Sequence, residues 1–210
     1  MMKKVKIYLL AVMVVLALSA LSYAARKGYS PAVRPLSRQK QMELALSAAP
    51  YAISRHATIM LPGEDGKSVT VKKGTNGFTC MPDIDGQEVP SPMCADEAAM
   101  RFFLDMWSGK ERPSNKTAGV AYMAQGGWHW EKDGKVIMSR EGDRRGVKRV
   151  REPAHWMLIY PFSAAKSFLP NRPSTFGAWI MLDDTPYAHL MIYQDPMELT
   201  GEDGSEGQGE

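Results

Sequence analysis

The chain has 210 residues, with 26 basic and 23 acidic side chains, four histidines and two cysteines. Three of the basic residues (Lys3, Lys4 and Lys6) precede Ala25 and no acid does, so the remainder carries 23 of each sign. A balanced chain of this kind lacks the basic excess of a nucleic-acid binder, and no apolar run after Ala24 approaches the length of a membrane span.

The first 24 residues set a compartment rather than a fold. Lys3, Lys4 and Lys6 are followed by an apolar run from Ile7 to Leu21 and then by Ser22-Tyr23-Ala24. This is the charged, apolar and small-residue order of a secretory signal, with cleavage expected after Ala24. The alternative is an uncleaved anchor, but the run is short of the roughly 20 residues a spanning helix needs. No cysteine lies near the cut to carry a lipid. Export to the periplasm or the extracellular medium is therefore expected, with no membrane span once the signal is removed.

Residues 25–35 hold two prolines without periodicity and read as an arm; "RQKQMELALSAAP" after Ser37 reads as a helix stopped by Pro50. A single domain is expected over 51–196. It opens with two β-type runs around Gly63-Glu64-Asp65-Gly66, a hairpin pattern, followed by an Asn76-Gly77 turn. Cys80 and Cys94, the only cysteines, enclose a stretch with three prolines that must be a loop. In an oxidising compartment they most simply form one disulfide. Their spacing fits neither Cys-x-x-Cys redox chemistry nor the usual zinc pattern.

After Cys94 the pattern predicts a helix over "ADEAAMRFFLDMWSGK", with Met100, Phe103, Leu104 and Trp107 on one apolar face. "TAGVAYMAQGG" reads as a strand, the polar stretch 128–152 as an extended hairpin or loop, and "AHWMLIYPF" as a strand. "GAWIMLDDTPYAHLMIYQDP" reads as two strands joined at Asp183-Asp184-Thr185-Pro186. Residues 197–210 form an acidic, Gly-rich tail, expected to be disordered. The expected class is α+β: an antiparallel sheet of about five to seven strands with one or two covering helices and one disulfide.

The blocks "GTNGFTC", "PMCADEAAM", "GVAYMAQGG" and "TPYAHLMIY" give the chain a resemblance. It is similar over about residues 50–195 to an uncharacterised family of small secreted bacterial proteins. That family carries a Gly-Thr-Asn-Gly-aromatic-Thr-Cys block and a Thr-Pro-Tyr-Ala-His-aliphatic-Met block. The resemblance implies export and a shared fold and brings no activity, cofactor or catalytic residue. Stretch 128–152 is where the chain looks least typical of it.

Three groups of residues are chemical candidates. His155 and Met157 repeat as His189 and Met191, each pair on one face of a strand, and imidazole with thioether suits copper. The competing reading is a core pattern used twice, since methionine is abundant throughout this chain. Trp128, His129 and Trp130 form an aromatic strand end that could stack on a sugar or insert into a partner, or else complete a core. Arg144, Arg145, Lys148 and Arg149, with Arg140 and Arg151 nearby, form a basic cluster diluted by acids; it suits an anionic polymer, headgroup or phosphate, or is simply solvated. The acidic tail is a further candidate partner for it.

Catalytic residues are unknown: no nucleophile elbow, zinc-protease helix, phosphate loop or dinucleotide pattern occurs. The reading that follows is an exported, non-catalytic binding or interaction domain without a cofactor. Its partner would be an envelope protein, a polymer or a small ligand, and not nucleic acid. A periplasmic copper or other metal-binding protein and a hydrolase-like enzyme assembled from scattered residues are the alternatives.

Overall fold

The computed structural model describes residues 32–33, 35–63, 67–86, 88–138, 145–160 and 162–199. Residues 1–24, expected to be a signal, most of the arm, the tail from 200 onward, Arg140 and Arg144 lie outside them. Eleven strands are described, in two sheets. The first eight-stranded sheet contains β1 (Thr58–Pro62), β2 (Ser68–Lys72), β3 (Thr79–Met81), β4 (Met93–Ala95), β5 (Gly119–Met123), β9 (His155–Ile159), β10 (Ala178–Met181) and β11 (His189–Ile192). Their order is β10-β11-β9-β5-β4-β3-β1-β2. The second sheet has the order β7-β6-β8, from β6 (Gly127–Lys132), β7 (Lys135–Ile137) and β8 (Lys148–Glu152).

The α+β class and the disulfide agree with the sequence reading, but the strand number is higher and the pairing is not wholly antiparallel. β1 and β3 run parallel, with Thr58 beside Thr79. The extra strands are the short β3 and β4 that carry the two cysteines, and those of stretch 128–152. Its polar composition hides the alternation, yet the two-residue turn Asp133-Gly134, both at positive φ, sits between Lys132 and Lys135. Asp-Gly in that geometry is the turn that matches strand twist.

Helices cover both faces of the large sheet. α1 (Arg38–Leu46) starts at Ser37, whose hydroxyl accepts from the Lys40 amide. It ends near the cluster of Ala45, Ala48, Ala49, Ile59, Leu61 and the bonded Cys80–Cys94. The short α2 (Tyr51–Ser54) follows Pro50 directly. On the other face lies α3 (Glu97–Trp107), capped by Asp96, one oxygen of which accepts from the Ala99 amide at 2.8 Å. The second Asp96 oxygen accepts from the Val120 amide at 2.9 Å, so one carboxylate both starts the helix and docks it on β5.

The buried face of α3 differs from the expected one. Ala99, Phe102 and Phe103 are buried and Met106 packs beside them, while Leu104 and Trp107 are 54% and 42% exposed. The stripe is displaced by one residue, a turn of about 100°. The cause is close approach: a side chain on Gly119 would lie 2.3 Å from the Ala99 nitrogen. Small residues therefore mark the contact, and counting large apolar ones points elsewhere. No helix among the described residues is long and apolar enough to cross a membrane.

The two sheets are one long ribbon that folds back. β5 runs into β6 and β8 into β9; Met123 pairs with His155, and Gly127 with Glu152. Between these pairs one strand passes three residues, 124–126, while its partner passes two, 153 and 154. The extra residue bends the ribbon as a bulge does. At Gly126, with φ of 70°, a side chain would meet the Glu152 carbonyl at 2.2 Å, so glycine is obligatory at this bend. The small sheet thereby lies over the α3 side of the large one.

Candidate functional site

The bend brings acids and histidines from distant segments into one buried cluster. Glu152, 3% exposed, ends β8, and its Oε1 accepts from His129 Nδ1 at 2.9 Å. His129, 5% exposed, has its Nε2 3.1 Å from Glu131 Oε1, so one ring bridges two carboxylates. The other oxygen of Glu152 lies 3.6 Å from Nε2 of His155, which is fully buried. That spacing is long for a hydrogen bond and within ion-pair reach. His155 Nδ1 is held by the Pro153 carbonyl at 2.8 Å. Below them, Trp179 lies 5.8 Å from the His129 ring, and Tyr193 lies 5.9 Å from His155 and 6.0 Å from Trp179.

Electrostatics set the charge of each group. Burial pulls the His129 pKa down, but the Glu152 and Glu131 carboxylates outweigh it and the net displacement is upward. Burial, and then the charge of Glu152, push the Tyr193 phenol well above its usual range. Asp85, in the loop between the cysteines, is pushed up to about 7, chiefly by burial and further by Asp83 and Glu152, against Ser91 and Arg151. That loop is itself ordered by Asp83, which accepts from the amides of Gly86 and Ser91, each at 2.9 Å.

The His-Met repeat is separated by its register. Met157 and Met191 stand directly opposite each other and are both buried. Antiparallel pairing then sends the histidines to opposite ends: His155 toward Tyr193 and Glu152, His189 toward Phe102 and Phe103. His189 Nδ1 is bound to the Tyr187 carbonyl at 2.8 Å, and burial lowers its pKa to about 4. Among the described residues no group of three or more His, Cys, Asp or Glu is arranged to hold a metal ion.

The aromatic and basic candidates are divided between the two faces of the small sheet. His129 points inward. Trp128 points outward and is half-buried, with the Arg149 guanidinium 4.4 Å and that of Arg151 5.0 Å from its ring centre. These are cation–π distances. Trp130 pairs with Arg149 on the same outer face, and Lys148 pairs with Glu131. The Trp128 indole donates to the Val89 carbonyl at 3.4 Å, tying the disulfide loop to this sheet. Arg151 also donates to the Gly127 carbonyl at 3.0 Å and to that of Gln125, bracing the bend. Arg145 is exposed in the turn before β8.

Glu152, Glu131 and Tyr193 belong to no sequence motif. Their only signal is parity. Once a one-residue bulge is placed at 124–126, even positions of β8 and odd positions of β6 face the same interior.

The chain matches no protein-family model, no curated protein and no solved structure.

Proposed function

We propose that this is an exported, non-catalytic binding domain that presents the outer face of the small sheet to an acidic polysaccharide. The observation that carries the reading is Trp128 on the outer face of the small sheet, with the guanidinium groups of Arg149 and Arg151 within cation–π distance of its ring. The half-buried indole offers apolar surface to a sugar ring, and with Arg151 engaged by the Gly127 and Gln125 carbonyls it is the Arg149 guanidinium that offers donors to a carboxylate or sulfate. Trp130, Lys132 and Lys135 extend the same combination along β6 and β7. The run from Ile7 to Leu21 and the bonded Cys80–Cys94 support export.

The test is retention on polygalacturonate and on heparin, compared with neutral dextran. The native chain is expected to bind both acidic polymers and to elute at higher salt than Trp128→Ala or Arg149→Ala. Each variant should lose about tenfold in affinity, the scale of one cation–π or charge-assisted contact. Equal retention of native and variant chains sinks the reading.

A further inference from the structure

The connection between β9 and β10 has a feature that the binding face leaves unused. β11 lies between these strands and runs antiparallel to both, so β9 and β10 share one direction. The chain must therefore return along the length of the sheet. It does so on the outer side of β10, where the Ile180 amide donates to the Pro170 carbonyl at 2.8 Å. The start of the return is fixed by α4 (Ala164–Ser167), where the Ala164 amide donates to the Asp183 carboxylate at 3.0 Å.

This strap displays aromatic rings to solvent. Phe168 is 93% exposed, Phe176 72% and Tyr160 53%. Phe168 also has φ of 60°, a left-handed conformation that bulky side chains rarely adopt and glycine adopts freely. An exposed phenylalanine where glycine would be less strained makes no sense for solubility or for stability, and such an outlier points to a use. The charge pattern narrows that use. The strap's own residues, 160 to 177, include no Asp or Glu, and its two cations, Lys166 and Arg172, are both exposed; the Asp183 carboxylate beside α4 is taken up by the Ala164 amide, and Asp184 follows it in the turn.

We infer that this strap docks the protein on an anionic lipid surface, with Phe168 and Phe176 as the inserted rings. The two residues lie eight positions apart in the strap, on either side of Pro170, whose carbonyl binds the edge of β10 at Ile180. They therefore act as separate anchors, suited to an extended interface more than to one compact pocket. Aromatic rings settle at the boundary between headgroups and acyl chains, and nearby Lys and Arg add attraction to anionic headgroups. The result is peripheral attachment, with the Trp128 face left to its own ligand.

The experiment is flotation of the full chain with vesicles of phosphatidylethanolamine and phosphatidylglycerol, and with vesicles of phosphatidylcholine alone. Native chain and variants are compared in the same processed form, because residues 7–21 would associate with lipid by themselves. The native chain should float with the anionic vesicles and much less with phosphatidylcholine. The double variant Phe168→Gly, Phe176→Ser should lose about tenfold or more in partitioning. Lys166→Glu with Arg172→Glu should abolish the preference for phosphatidylglycerol. Phe168→Gly keeps the backbone conformation, so its urea midpoint should not fall. Absence of flotation by the native chain overturns the inference, as does undiminished flotation of the double phenylalanine variant. Loss of self-association in that variant without any lipid binding would assign the rings to a protein contact instead.

Discussion

Glu152 and His129, 23 residues apart in the chain, share a hydrogen bond of 2.9 Å with both side chains nearly removed from solvent. A buried charge is tolerated when it is paired, and removing one partner leaves the other uncompensated. Glu152→Gln should therefore destabilise the fold by about 3 kcal/mol near neutral pH. The measurement is a urea melt at fixed pH. A loss below ~0.5 kcal/mol, typical of a surface site, would show that the pair is not structural.

The same pair gives a pH dependence with a defined sign. A histidine whose folded pKa lies above its unfolded value adds stability that is complete below the unfolded 6.5 and is lost as pH climbs through the folded value. The native chain should lose stability upward from pH 6.5 through this group, and His129→Gln should flatten that decline. Melts across neutral and mildly alkaline pH decide it; identical slopes in both chains would refute the assignment.

Asp85 acts over a different window. Its folded pKa, about 7 against 3.8 when unfolded, means that the fold favours the protonated form. The resulting penalty grows as pH rises from 3.8 to 7 and is constant above. Asp85→Asn should thus be more stable than the native chain at pH 8, by up to about 4 kcal/mol, and indistinguishable from it near pH 3. A variant that is less stable at both pH values would contradict this.

Replacing Cys80 and Cys94 together by Ala should cost about 3 kcal/mol, as expected for opening a loop of this length. Their separation is 14 residues, and the loop between them carries both Asp85 and the Val89 carbonyl bound by Trp128. The Trp128 emission should consequently change on reduction. Stability that is unaffected by reductant would argue against the bond.

Two glycines separate steric necessity from accommodation. A methyl group at Gly119 would collide with backbone, the Ala99 nitrogen at 2.3 Å, whereas at Gly127 its nearest neighbour is the flexible Met123 terminus at 2.9 Å. Gly119→Ala should therefore destabilise strongly, by about 3 kcal/mol or more, and Gly127→Ala by about 1–2 kcal/mol. Thermal melts of the two variants should rank in that order; the reverse order would mean that α3 can slide on β5.

Much of the fold is local, and so legible in the sequence. Asp96 before an alternation of helix formers, Asn76-Gly77 in a turn, and the runs "HWMLI" and "HLMI" specify their elements through capping, backbone conformation and side-chain period. So does the pairing of the only two cysteines. What the sequence by itself could not determine is parity and partner. The extra residue at 124–126 decides that His129 and Glu152 face inward while Trp128 and Arg151 face out. Ala99 against Gly119 turns α3 by one residue away from its largest apolar stripe. The antiparallel register of β9 and β11 puts Met157 against Met191 and parts His155 from His189. Each of these depends on contacts between segments far apart in the chain. A pattern read within one segment carries only the alternation, and tertiary packing decides which phase of that alternation is buried.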